Sequence, residues 1–359
     1  MLDRIVTLDA ETEAIEERPH YPPRPVGWAI HYPDGSSRYL AFGHPSDNNI
    51  SEAEAKAHIA QLRASGAPML FHNAKFDLEV MEKWLGEPIP EATAWHDTLL
   101  LAFLDNPHSD TLALKPLSEK LLKLPPTERD ELREWVLTNV EGSRRKPSQW
   151  GAHISKAPGG LVGKYAVGDV VRTRQLFDLL YVRVVKAGMG AAYLRERRLI
   201  PALIKNEQQG ISCDVENLET HHAECLQDFQ RVDDWLRRYL NAPSLNLDEN
   251  ESLADALSAG GFVKKWEHTD KGARSTAKPA LDHMLSDRLL YAALMYRGSM
   301  ATCVRTFMGP WLDLARRNNG RLYTTWNTTK QEEGGGTRTG RLSSSKPLNL
   351  QNIPNDFEE

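Results

Sequence analysis

FHNAKFDLEVM, residues 71–81, is the stretch on which the reading turns. Phe71 closes a short apolar run, PMLFH (68–72), with the character of a strand. AKFDLEVMEKWLG (74–86) then takes helical spacing, and Asn73 stands where a capping residue belongs. Asp77 therefore falls in the first turn of a helix that leaves a strand end. A carboxylate there gains about 0.3–1 kcal/mol from the helix dipole, which accounts for it as plain surface charge. The same place also suits one member of a site, so the rest of the chain must decide.

Working outward, RIVTLDA (4–10) reads as a buried strand. GWAIHY (27–32) and SRYLAF (37–42) read as an antiparallel pair across the turn PDGS. A helix follows over 51–66, with Ser51 and Glu54 spaced as a capping box and Gly66 ending it. TAWHDTLLLAFLD (93–105) begins strand-like and turns helical, and LALKPLSEKLLKL (112–124) is a further helix. Residues 125–160 are polar and rich in loop signals, among them EGSRRKPSQWG and APGG. From 164 to 188 a long amphipathic helix is expected. This is an α/β domain ending near residue 188. Beyond it long helical patterns dominate, and the last forty or so residues are mostly turn formers.

Composition sets outer limits. The chain has 359 residues, 40% of them hydrophobic, which is enough for two or three cores. It has no apolar run long enough to span a membrane and no signal-peptide pattern at the start. Three scattered cysteines, Cys213, Cys225 and Cys303, lack zinc spacing and read as reduced thiols of an intracellular, cytoplasmic protein. A net charge of −5 argues against indiscriminate coating of nucleic acid while allowing a local basic groove.

Three short motifs carry the chemistry. LDAETE puts Asp9 and Glu11 two apart on a strand, hence on one face. Like charges so placed are costly without a cation, although a solvated strand end gives the same pattern. Asp77 is the second motif. YAVGD puts Tyr165 and Asp169 one helical turn apart, with Gly168 between them at a helix-propensity cost of about 1 kcal/mol. Gly168 leaves room for a close neighbour. Asp97 in WHDT reads as a supporting structural acid, His96 has no evident partner, and Asp3, Glu13, Glu16 and Glu17 read as surface.

In that order, D-x-E, N-x-x-F-D and Y-x-x-x-D resemble the DnaQ-like 3′–5′ exonucleases of the tyrosine-bearing DEDD type, which have an RNase H-like fold. The resemblance covers roughly residues 1–188. HDTLLLAFLD and LALKPLSEKLL are similar to stretches between the second and third motifs of the proofreading domains of family A DNA polymerases. The resemblance implies that Asp9, Glu11, Asp77 and Asp169 hold two divalent metals, Mg2+ or Mn2+, about 3.5–4 Å apart. It implies that Tyr165 orients the attacking water. Thr12, Asn73 and Phe76 then lie by the terminal nucleotide of a single-stranded DNA 3′ end.

The second half resembles later parts of the same polymerases. RRLIPALIKNEQQGISCDVENL (197–218), TDKGARST and YRGSMATCVRTFMGPWLDLA look like thumb stretches. TRTGRLSSSKPLNLQNIP (337–354) looks like the motif that grips a primer–template duplex near the start of the palm, with one residue more than the usual spacing. Thr339, Arg341, Ser343, Ser344 and Asn352 are the residues this carries over, as phosphate-positioning contacts. The expected division is an α/β exonuclease domain with a mixed sheet (1–188), a mainly α thumb-like region (189–310) and an incomplete palm segment (311–359).

The expected activity is metal-dependent release of 5′-mononucleotides from DNA 3′ ends. The palm and fingers acids of a complete polymerase are not found in this sequence, so polymerisation by this sequence alone is not expected. Two other readings remain: a DNA-binding and assembly subunit for a separate palm–fingers chain, and an RNA 3′–5′ exonuclease.

Overall fold

The computed structural model describes residues 2–125, 127–330, 336–345 and 347–351. They pack as two units, one of residues 2–210 with 323–351 and one of 211–322. The packing boundary thus falls at Gly210 rather than near residue 188.

The first unit is built on a five-stranded mixed sheet of order β3-β2-β1-β4-β5. Its strands are β1 (Val6–Thr12), β2 (Pro25–His31), β3 (Ser37–Ala41), β4 (Met69–Phe71) and β5 (Trp95–Asp97). The first three are antiparallel neighbours, and β4 and β5 add on parallel. Between β3 and β4 runs α1 (Glu52–Ala64), started by the expected Ser51–Glu54 capping box. Then come α2 (Ala74–Leu85), α3 (Thr98–Asp105) and α4 (Leu114–Leu122).

The region expected to be loop, 125–160, departs from that expectation. It holds α5 (Thr127–Asn139) and a run of 3-10 turns over Pro147–Lys156. The polar composition masked a helix whose inward positions are Leu132 and Val136, both fully buried. Two apolar residues one turn apart are enough to seat a short helix but give a weak periodic signal. The long helix α6 (Gly159–Lys186) starts a turn earlier than its pattern indicated. Helix α7 (Gly190–Gln209) belongs to this unit because Tyr193, Ile200 and Ile204 lie in its core.

Strand alternation sorts the sheet's two faces. Leu8, Ala10, Trp28, Ile30 and Leu40 enter the core that also holds Leu78 and Met81 of α2. Ala29, Tyr39 and Ala41 pack instead with Val162, Ala166 and Val170 of α6. Asp9 pairs in register with Ala29 and Glu11 with Gly27, so both acids point toward α6. Covering both faces by helices is what lets a carboxylate on β1 be surrounded by protein.

The second unit is mainly helical. It contains β6 (Ile211–Ser212), α8 (Val215–Tyr239), α9 (Asn250–Ala259), α10 (Lys278–Met284) and α11 (Arg288–Thr302). A π-helical turn at Cys303–Met308, α12 (Gly309–Arg317) and β7 (Arg321–Leu322) complete it. Its core gathers Leu236, Leu257, Leu281 and Leu290.

The chain then returns to the first unit as a hairpin of β8 (Thr325–Asn327) and β9 (Ser343–Ser345). A buried ionic cluster seats β8. Glu207 of α7 accepts from the Trp326 N–H at 2.6 Å and also pairs with Lys75 and Arg18. Lys75 in turn donates to the Trp326 carbonyl at 2.8 Å. Among the described residues no helix is long and apolar enough to cross a membrane.

Candidate active site

Asp9, Glu11 and Asp169 converge: one carboxylate oxygen of each lies within 4.8 Å of the others. Strand β1 brings the first two and α6 brings the third. Gly27, opposite Glu11, matters here. A Cβ at that position would stand 2.1 Å from the Tyr39 hydroxyl, so glycine is what admits the Tyr39 ring beside the acids. Tyr39 is then fixed by a 2.6 Å contact with His44 Nε2.

Asp77 joins through the strand. Its Oδ1 accepts the Ala10 N–H at 2.9 Å, which ties the first turn of α2 to β1 between the two strand acids. It is buried but lies outside the group of three oxygens. Tyr165 stands one turn before Asp169 on α6, half-buried.

The acids disturb one another. Burial first, then the charge of Asp169, pushes Asp9 up to about 7, with Lys115 opposing. Glu11 is held well above the ordinary glutamate range by burial and then by Asp9 and Asp169. Burial and then the charge of Asp9 lift Asp77, against the Ala10 hydrogen bond. Asp169 is raised by burial, with Lys115 as the largest opposing influence. Tyr165 is raised well above its ordinary value by burial and the charge of Asp169, so its hydroxyl stays protonated at neutral pH.

Lys115 is the residue that motif reading passed over. It sits on α4, ion-paired to Asp169, with its ammonium 3.8 Å from the centroid of the Tyr165 ring. It is 8% exposed. A lysine buried at a position that faces the core of an amphipathic helix was the available signal, since buried lysines need a partner. The room at Gly168 is also used. A Cβ there would meet Arg172 Nη1 at 2.8 Å and Glu128 Oε1 at 2.9 Å, the two halves of an ion pair.

Asn73 differs from its expected part. It takes a left-handed conformation (φ 72°) and its side chain caps nothing. Asp97 does that work instead, accepting the N–H groups of Asn73 (3.0 Å), Ala74 (2.9 Å) and Leu99 (2.8 Å). One buried acid thereby pins the starts of α2 and α3, consistent with a structural role. His96 does have a partner. It stacks on Tyr193, whose hydroxyl lies 3.2 Å from its Nδ1, and burial pushes it down to about 3. Asp3, Glu13, Glu16 and Glu17 are exposed, as read.

The remaining candidates divide. Asn73 is exposed and Phe76 half-buried, edge-on to Tyr21. Thr12 ends β1 and donates to the Glu13 carbonyl. In the hairpin, Thr339 and Arg341 are exposed. Ser344 is buried and its hydroxyl serves the loop, donating to Asn349 Oδ1 and accepting the Leu350 N–H. Ser343 likewise accepts the Gly336 N–H. Asn352 lies outside the described residues.

The donor set fits divalent cations. It is all carboxylate oxygen, as hard cations prefer, and an ammonium already stands among the acids as a partial substitute.

Residues 215–359 match the family described as DNA polymerase family A. DNA polymerase DpoZ of Vibrio phage phiVC8 is 26% identical, over 91% of this chain and 52% of its own length. DNA polymerase I of Chloroflexus aurantiacus is 27% identical, over 93% of this chain and 34% of its own length. The chain therefore spans about half of the first relative and about a third of the second. Among solved structures, the POL domain of Pol1 from M. smegmatis in complex with DNA primer-template and dNTP has the same fold. Its TM-score is 0.71 at 21% identity, over 98% of this chain and 53% of that one. The chain is thus similar to family A DNA polymerases, and the family match falls on residues 215–359 rather than on the acid site.

Proposed function

We propose that this relative of the family A DNA polymerases contains their proofreading portion: an RNase H-like, metal-dependent exonuclease domain that removes 5′-mononucleotides from DNA 3′ ends during replication. The observation that carries the proposal is the convergence of Asp9, Glu11 and Asp169, with Asp77 tied to the same strand. Glu11, Asp77 and Asp169 are buried and Asp9 is half-buried, and among the described residues the ion pair to this group is that of Lys115 with Asp169; such a shortage of positive charge is what a pair of divalent cations relieves.

Asp9, Glu11, Asp77 and Asp169 would hold the ions. When bound, Mg2+ or Mn2+ supplies an activated water at neutral pH and stabilises charge on the phosphate and the leaving oxygen. Tyr165, protonated, positions that water as a hydrogen-bond donor or acceptor beside Asp169. Lys115 holds Asp169 in place and fixes the face of the Tyr165 ring. Thr12, Asn73 and Phe76 border the terminal nucleotide, where stacking and backbone contacts take any base. Products are a 5′-mononucleotide and a strand one residue shorter with a free 3′-hydroxyl.

The test is a 5′-labelled single-stranded oligonucleotide incubated with the purified chain and Mg2+, Mn2+ or EDTA. The expected result is a ladder shrinking from the 3′ end and silenced by EDTA. A folded chain that leaves the oligonucleotide intact contradicts the proposal. Matched RNA in the same assay decides the sugar preference, with DNA expected to be cut faster.

A second reading is favoured by the hairpin of β8 and β9, which presents Thr339 and Arg341 to solvent from a seat fixed by Glu207. In that reading the chain grips primer–template duplex and docks a separate palm–fingers chain. Duplex binding lost on Arg341→Ala supports it, and polymerisation restored only on mixing with such a chain completes it.

A further inference from the structure

The 3-10 segment Pro147–Lys156 forms a wall beside the acid site. It packs against β1, the strand of Asp9 and Glu11, and against α5. Its Trp150 ring meets the Tyr165 ring edge to face, 5.9 Å between centroids at 89°. Trp150 is half-buried, so part of the indole remains available.

Just ahead of it lie Arg144, Arg145 and Lys146. Arg144 is engaged, donating from Nε to the Leu137 carbonyl at 2.7 Å. Arg145 and Lys146 are exposed, and among the described residues no carboxylate pairs with either side chain. The segment is held at both ends. Ser143 Oγ reaches the Val136 and Val140 carbonyls, and the Ala157 carbonyl contacts His44 Nδ1 at 3.0 Å.

A basic run on a surface turn is ordinarily just solvated charge. Here the run is four residues from an aromatic ring that abuts Tyr165. It also leads into the segment that packs on β1, the strand whose acids repel a polyanion. The bases nearest that site are already committed, Lys115 to Asp169 and Arg172 to Glu128. Unspent cations beside an aromatic ring are the chemistry that tracks a single-stranded polynucleotide.

We propose that residues 145–150 form a strand-binding subsite. Trp150 stacks on a base upstream of the cleaved end, while Arg145 and Lys146 neutralise the phosphates behind it. The location rests on the exonuclease reading, but the binding can be measured without cleavage.

The experiment is fluorescence anisotropy of a labelled single-stranded DNA of about 20 nucleotides in EDTA, with the full chain, as salt is varied. For Arg145→Ala/Lys146→Ala the slope of log affinity against log salt should fall by about 1.4, two phosphate contacts at roughly 0.7 each. For Trp150→Ala affinity should drop about tenfold with the slope kept, and Trp150→Phe should restore most of it. The double variant alters exposed side chains only, so it stands as a test even if Trp150→Ala loosens the segment. Wild-type affinity and slope in the double variant overturn the subsite, as does a wild-type chain that does not bind the strand. Binding with the predicted dependences but no mononucleotide release keeps the subsite and removes the exonuclease reading. Cleavage by a chain whose double variant binds like wild type does the reverse.

Discussion

Helix α2 buries two acids two residues apart, and the molecule treats them in opposite ways. Glu79, fully buried, receives a two-pronged contact from Arg18 at 2.7 and 2.8 Å. With Glu207 and Lys75 the cluster holds two acids and two bases, and it closes on the backbone of Trp326. Burial still raises Glu79, but its largest opposing influence is Arg18 in direct contact. Asp77, also buried, accepts the Ala10 N–H and is raised by the neighbouring charge of Asp9; among the described residues no base is ion-paired to it, and the nearby Lys115 contacts Asp169. Burial is therefore not what marks a site. A deficit of countercharge is, because the protein has left that charge for a ligand to supply.

The sharpest way to break the comparison is by activity. Asp9→Asn or Asp77→Ala should lower mononucleotide release by at least about 10³-fold, several kcal/mol of lost charge stabilisation. Steady-state rates on a labelled oligonucleotide check this, and near-wild-type turnover in either variant removes the residue from the site. Stability should separate the clusters by sign. Glu207→Gln strands Lys75 and should cost about 3 kcal/mol in urea unfolding. Asp9→Asn in EDTA should instead stabilise the chain by about 1 kcal/mol, by relieving repulsion among acids.

A pH series sharpens the same point. Asp9 lies at about 7 in the folded chain, against an ordinary carboxyl value near 4 when unfolded. Between those values the folded chain holds more protons than the unfolded one. Stability without metal should accordingly fall as pH rises from about 4 to about 7, and saturating Mg2+ should remove the fall. Unfolding curves at three pH values, with EDTA and with Mg2+, read this out. Stability rising over that range without metal would contradict it. The smallest expected effect is at Lys115. Lys115→Met removes a competing cation from Asp169, so Mn2+ should bind about three- to tenfold more tightly, as calorimetry can measure.

Much of this was legible where local pattern and chemistry agree. Alternation on β1 put Asp9 and Glu11 on one face, and the Ser51–Glu54 box formed as read. What escaped depends on contacts far apart in sequence. Asn73 looked like a cap, but the capping oxygen comes from Asp97, 24 residues on. Lys115 is 54 residues from Asp169, and no spacing rule joins them. Helix α5 hid because only a narrow stripe, Leu132 and Val136, faces inward. Glu207, which seats the hairpin 119 residues later, reads in sequence as one more polar residue near a helix end.

The most direct measurement is a calorimetric titration of Mn2+ into the metal-free chain, beside Asp9→Asn and Glu79→Gln. Saturable binding of two ions per chain, lost in Asp9→Asn and kept by whatever folded fraction Glu79→Gln retains, is the predicted result. Binding that ignores Asp9→Asn, or no saturable binding by the folded chain, would show that the shortage of charge at β1 and α6 is not a metal site.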